Sequence, residues 1–159
     1  LFTGLRRGEA ATLEWADVNF NDRYFTIHDT KNRTDHVVPM SSQVQNMLER
    51  RRDTDGKHDQ WVFQNKRRNG PLQDPRKQLE KLEKITGVKF CCHDLRRTFA
   101  TLAESYGIDY YSIKRALNHK TQDITERYIQ NRVEKMRHVF DAVAKEIVWW
   151  AYEEPPECT

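Results

Sequence analysis

The sequence predicts an α+β domain, mainly α-helical, with a small three-stranded antiparallel sheet. Three observations carry that prediction. Apolar residues recur at helical spacing, as in Leu95, Phe99 and Leu102, and again in Val133, Met136, Val139, Phe140, Val143, Ile147 and Trp150. From Trp15 to Met40 the pattern changes to short β-rich runs parted by turns. No repeat and no linker divides the 159 residues. Residues 1–159 therefore read as a single domain, large enough to bury about two thirds of the surface its unfolded chain exposes.

In chain order, Leu1 and Phe2 read as the last turn of a helix, with Gly4 in the break after it. Thr3 is placed to cap a helix over 7–13 that carries Glu9 in its first turn. Strands follow at 17–19, 24–28 and 36–40, joined by turns at Asn21-Asp22 and at Lys31 to Asp35. A helix over 42–52 has Val44, Met47 and Leu48 on its apolar face. Next come a polar loop at 53–60, a short buried segment Trp61-Val62-Phe63, and a basic turn from Lys66 to Pro71. A further helix starts with Pro75 at its first position, runs to Thr86 and stops at Gly87. The central helix spans 93–106 and ends at Gly107; Asp109 caps a short one carrying Ile113 and Leu117. Another short helix holds Ile124, Tyr128 and Ile129, and the last spans 133–150 before Pro155-Pro156.

Charged residues make up 32% and hydrophobic residues 37%, polar for a folded domain yet outside the disordered range. The net charge of +3 is uneven. Residues 151–159 hold Glu153, Glu154 and Glu157 without a Lys or Arg, which leaves +6 on the rest. A basic body with an acidic tail suits a polyanionic partner, and solubility alone accounts for such a charge equally often. The cysteines are the neighbours Cys91-Cys92 and the isolated Cys158, without metal-ligand spacing, which reads as free thiols in a reducing compartment. No apolar run approaches the roughly 20 residues of a membrane span. The chain opens on Leu1-Phe2-Thr3-Gly4 without a Met, which reads as a piece of a longer protein.

His93 and Arg96 stand three residues apart near the start of the central helix, on one face, where orphan amides and the helix dipole favour an anion. That pair suits a phosphate, although a helix cap and a salt bridge would explain the two residues as well. Other stretches add to it. Thr3-Gly4-Leu5-Arg6-Arg7-Gly8-Glu9, Lys31 in a turn between strands, His93-Asp94-Leu95-Arg96, and Leu117-Asn118-His119 followed by Thr125-Glu126-Arg127-Tyr128 occur in that order. Together they resemble the boxes of the tyrosine recombinases, the phage integrase family, from Thr3 to the final helix. Two positions depart from the family pattern: Gly8 stands for the usual Ser before the Glu, and Asn118 for the usual Gly before His119.

The resemblance implies the catalytic domain of a DNA breaking-rejoining enzyme, a metal-independent DNA strand transferase with no cofactor. The residues implied are Arg6, Lys31, His93, Arg96, His119 and Tyr128. Tyr128 would attack phosphorus and form a 3′-phosphotyrosine, which stores the energy for rejoining. Arg6 and Arg96 would grip the non-bridging oxygens, since a guanidinium stays charged and binds phosphate bidentately. Lys31 would protonate the leaving 5′ oxygen, His93 would accept the tyrosine proton, and His119 would hydrogen-bond the phosphate. Taken singly, Tyr128 reads as a packing residue, His119 as a helix C-terminal histidine, and Lys31 as a solvated lysine with Arg33 as its rival. Arg7 reads as a solvent-facing neighbour, and His28, His36, His58 and His138 match no motif. Arg67, Arg68, Arg97 and Lys120 suit phosphate contacts or a plain solvated surface equally.

The implied partner is double-stranded DNA, with a homotetramer forming on it from free monomers, accessory DNA-bending proteins, and no membrane. The implied setting is the bacterial nucleoid in the cytoplasm, and the implied task is integrating or excising phage or mobile-element DNA. An N-terminal domain that clamps the other face of the DNA would lie outside this chain. Two other readings share the residues: a catalytically silent DNA-binding relative, and a type IB topoisomerase-like strand-passage enzyme, in which Lys usually stands where His93 does. The aromatic stretch from Val148 to Tyr152 would pack on its own core or on a neighbouring protomer.

Overall fold

The computed structural model describes residues 1–28, 30, 35–56, 60–65, 69–72, 74–119 and 133–152. The expected class holds: helices surround a small antiparallel sheet. Helix α1 is Arg7–Ala11, and a 3₁₀ turn at Trp15–Asp17 leads into β1 (Val18–Asn19), β2 (Tyr24–Ile27) and β3 (His36–Pro39). The strands run in the order β1-β2-β3, with Phe25 opposite Val38 and Ile27 opposite His36. Those four side chains are buried and the intervening ones are not, apart from Pro39 at the edge, so alternation sets the register.

Helix α2 (Ser42–Arg51) is capped by the Ser41 hydroxyl, which accepts from the Val44 amide. Val44 and Leu48 are buried, but Met47 is 48% exposed, because it lies at the margin of the stripe. The expected loop after α2 begins as a π-helical turn, Arg52–Gly56. Val62 is buried while Trp61 and Phe63 are only partly covered. Around the basic turn a second hairpin pairs β4 (Gln64–Asn65) with β5 (Gly70–Pro71). The sequence reading had a turn there and no strands. Helix α3 (Arg76–Thr86) starts one residue later than expected, so Pro75 is its N-cap, and Asp74 accepts from the Arg76 amide. Gly87 ends it with a φ of 71°, and none of its residues is buried.

Helices α4 (Cys92–Ser105), α5 (Tyr110–Ala116) and α6 (Val133–Tyr152) complete the domain. Asp109 caps α5 as expected, accepting from Ser112 at 3.0 Å. Helix α6 packs on β3, α4 and α5, burying Met136, Val139, Phe140 and Val143. The Phe140 ring meets that of Phe99 in α4 at 5.6 Å between centroids. Trp150 does not follow the stripe: it is 49% exposed, with its indole N–H on Glu146, and Tyr152 is 86% exposed. Beyond Ile147 none of the described helix residues is buried. Among the described residues no helix is long and apolar enough to cross a membrane.

Candidate active site

The site is built where the start of the chain meets the first turn of α4 and the end of α5. Gly4 has a φ of 60°, in the left-handed region, and a Cβ there would lie 2.7 Å from Leu117 Cδ2 and 2.9 Å from Phe99 Cδ1. Only glycine suits both demands. Gly4→Ala is therefore expected to lower stability by about 2–4 kcal/mol, from left-handed strain plus overpacking. Denaturant midpoints would check it, and a loss below about 1 kcal/mol would show that the contact relaxes freely. At Gly8, by contrast, a Cβ would meet nothing within 4 Å, so the departure from Ser there has no steric cause.

Arg6, rather than Thr3, is the N-cap of α1. Its amide donates to Glu9 Oε2 at 2.9 Å and its Nη1 to Glu9 Oε1 at 2.6 Å, with Glu9 only 7% exposed. One buried carboxylate thus orients the guanidinium and caps the helix. Helix α4 begins at Cys92, with Cys91 as N-cap and its amide bonded to Asp94 Oδ2 at 2.9 Å, so His93 lies inside the first turn rather than at the cap. His93 is exposed, whereas Arg96 one turn on is 6% exposed. Arg96 Nη1 donates to the Gly4 carbonyl at 2.6 Å and Nη2 to the Leu117 carbonyl at 2.5 Å. Burial, then the neighbouring Arg6, pull its pKa down to about 10, with Glu9 opposing.

Arg6, His93 and Arg96 line one cleft, together with Arg7, Arg76, Leu79, Cys91 and Cys92. Arg7 is exposed, as expected, but it forms part of this wall. His119 follows α5, its amide bonded to the Lys114 carbonyl at 2.9 Å. Its imidazole is held below the ordinary histidine pKa first by loss of hydration and then by Arg96 and Arg6, so its ring stands in the field of both guanidiniums. Lys31 and Tyr128 lie outside the described residues, as do Arg33, Arg67, Arg68, Lys120, His58, Cys158 and the expected helix with Ile124 and Ile129. Cys91 and Cys92 are free thiols, and among the described residues no cluster of His, Cys, Asp or Glu could hold a metal ion.

One residue that matched no motif takes part in holding the site. His36 is 6% exposed and its Nε2 lies 3.1 Å from the Ala116 carbonyl, one residue before the carbonyl that Arg96 holds. Burial lowers its pKa, as do Arg96 and Arg6, against the Ala116 bond and Glu9. A histidine depressed in the fold binds its proton in the unfolded chain first, so stability falls as pH drops below about 6.5. His28, which joins Asp17 at 3.2 Å and Asp35 at 3.0 Å, is raised chiefly by the Asp35 hydrogen bond and acts in the opposite sense. The variant His36→Gln should hence lose less stability between pH 7 and 5.5 than wild type, measured by denaturant midpoints. An equal loss would remove His36 from the acid response. Sequence offered no signal for this role beyond a lone histidine opening a strand.

Comparison with known proteins agrees with this architecture. The phage integrase family model matches residues 1–135. Prophage integrase IntF of Escherichia coli is 29% identical over 136 residues, 83% of this chain and 29% of that protein. Tyrosine recombinase XerA of Pyrococcus furiosus is 28% identical over 151 residues, 90% of this chain and 50% of that one. The chain thus spans half or less of the length of these relatives. The crystal structure of XerA recombinase shares the fold with a TM-score of 0.66 at 23% identity, covering 97% of this chain and 55% of that one. The integrase from mycobacterium phage Brujita does so at 0.69 and 17%, covering 89% and 48%. A family match over 135 of 159 residues, carried on a fold shared with these recombinases, places the chain in the phage integrase family.

Proposed function

We propose that this domain cuts and rejoins double-stranded DNA at specific sites through a 3′-phosphotyrosine at Tyr128, integrating or excising phage or mobile-element DNA. The observation that carries this reading is the convergence of Arg6, Arg96 and His93 on one cleft, where Glu9 is committed to Arg6 and the carboxylate in the cleft wall, Asp74, to Arg76. Two like charges brought together in a partly dehydrated site repel each other, and a phosphate relieves that repulsion. A guanidinium has five N–H groups. Two of Arg96's take backbone carbonyls, which leaves others for the non-bridging oxygens. The likeness to XerH recombinase bound to its difH substrate, at a TM-score of 0.60 and 24% identity, supports DNA as the ligand.

In the step proposed, the Tyr128 oxygen bonds to phosphorus while the bond to the 5′ oxygen breaks. The tyrosine proton passes to His93 and Lys31 donates one to the leaving oxygen, so no charge is stranded. Arg6 and Arg96 hold the two non-bridging oxygens. His119, kept neutral by its surroundings, donates one N–H to the phosphate. Reversal by the 5′ hydroxyl of another strand exchanges partners through a Holliday junction, within a homotetramer assembled on DNA. The free protein is a monomer, accessory DNA-bending proteins serve the assembly, and the bacterial nucleoid is its setting.

Covalent trapping tests the proposal. The protein is incubated with a pool of nicked duplexes whose cut strand loses its 5′ end, and SDS-resistant complexes are digested and mapped. An adduct on Tyr128 is the expected result. An adduct on any other residue would overturn the assignment, and so would none at all from a chain extended to the length of its relatives.

A further inference from the structure

We propose that Asn118 is a positioning residue. Its side chain ties the turn that presents His119 to Thr30, the residue before Lys31 in the sequence. The inference rests on the functional reading above, which gives Lys31 and His119 their roles, and it concerns a position where this chain departs from the family pattern.

Three consecutive residues before His119 are each held by a different element. His36, at the start of β3, meets the Ala116 carbonyl; Arg96, in α4, donates to the Leu117 carbonyl; Asn118 Nδ2 donates to Thr30 Oγ1 at 2.9 Å. The first two links use backbone carbonyls that any residue at 116 or 117 would supply. The third alone depends on the side chain at 118. Asn118 has a φ of 48°, the left-handed conformation that explains the usual glycine at this position. Asparagine tolerates that conformation better than most residues and adds an amide that glycine lacks. Its acceptor is 3% exposed, so the hydrogen bond is shielded from competing water. The two residues are 88 positions apart, and each immediately precedes a residue assigned to the chemistry. Proton donation to a leaving oxygen depends on placement within hydrogen-bond reach, so a link between the residues that precede Lys31 and His119 bears on that step.

Asn118→Gly keeps the backbone conformation and removes the amide; Thr30→Val keeps the shape and removes the hydroxyl; Thr30→Ser restores it. The substrate is a nicked duplex sequence captured on wild-type protein from a randomised library, made in two forms. One has the natural 5′ oxygen, the other sulfur at that bridging position. A thiolate departs without protonation, its parent thiol having a pKa of about 8.5, so the sulfur form does not need the lysine proton. On the oxygen form, each single variant should cleave roughly tenfold more slowly, about the worth of one hydrogen bond. The double variant should lose less than the two single losses combined, because the two residues share one hydrogen bond. Thr30→Ser should cleave like wild type. On the sulfur form the deficits should largely vanish, as for Lys31→Ala. Unchanged rates, additive losses, or a deficit that persists with sulfur would overturn the inference while leaving the recombinase reading intact. Failure of wild type to form the Tyr128 adduct would instead overturn that reading and this one with it.

Discussion

Tyr128→Phe should retain its hold on the nicked duplexes and lose strand cleavage by about 10⁴-fold or more, the scale on which removing an enzyme's nucleophile acts. The substitution removes only the oxygen proposed to attack phosphorus. Affinity for DNA rests on cations distributed over the surface, so a neutral side chain contributes little to it and the salt dependence of binding should be unaltered. Gel retention and SDS-resistant complex formation, measured on the same samples, separate the two quantities. A silent DNA-binding relative would show no difference between wild type and variant. Loss of retention together with cleavage would mean that Tyr128 supports the fold, and the recombinase reading would lose its nucleophile.

Arg96→Met should divide catalysis from stability in the same way. A guanidinium whose pKa has fallen to about 10 carries a cost of about 3 kcal/mol for keeping its charge in that place. Removing it recovers that cost. It also leaves the Gly4 and Leu117 carbonyls without their donor, at about 1–3 kcal/mol each. The two effects nearly cancel, and the net loss of stability should be about 1 kcal/mol, within about 2 either way. Cleavage should fall about 100- to 1000-fold, as it does when a charge-stabilising donor is lost from a transition state. Denaturant midpoints and single-turnover cleavage give both numbers. A stability loss above about 4 kcal/mol with modest loss of cleavage would make Arg96 a structural strut. Inorganic sulfate offers a further check: by binding between Arg6 and Arg96 it should stabilise wild type and not the variant.

The elements legible from sequence were those whose pattern is repeated by packing. Phe25 and Ile27 alternate with Tyr24 and Thr26, and the sheet buries the first pair, so β2 was recognisable within one residue. The β4–β5 hairpin was not, because strands of two residues, Gln64–Asn65 and Gly70–Pro71, are too short to carry a period. Met47 and Trp150 lie on helical stripes and are exposed all the same. Periodicity reports which side of a helix is apolar, but not how far the neighbouring surface extends to cover it. The same holds for α3, whose Leu82 and Ile85 share a face and are 44% and 70% exposed. In the site, the spacing of His93 and Arg96 pointed to the right turn of the right helix. The acceptors of Arg96 were invisible, since a carbonyl oxygen is the same at every residue. Gly4 and Asn118 stood in recognisable boxes, yet the reason for each, a positive φ, appears only once the backbone is folded.

The Gly4–Arg96–Leu117 junction also has a consequence in time. Its hydrogen bonds close loops of 92 and 21 residues, and the junction cannot be complete until the chain has been made at least as far as Leu117. At ribosomal rates of about 5–20 residues per second, Gly4 waits roughly 5 to 20 seconds for its last partner. A protein that breaks DNA during those seconds would be a hazard to its host. Here the arginine of the first box is translated early, but the pocket that would use it is assembled late, from contacts of high sequence separation that are slow to close. An unfinished chain therefore holds the arginines of the proposed site without the geometry that joins them, and the proposed activity would arrive only with the completed junction.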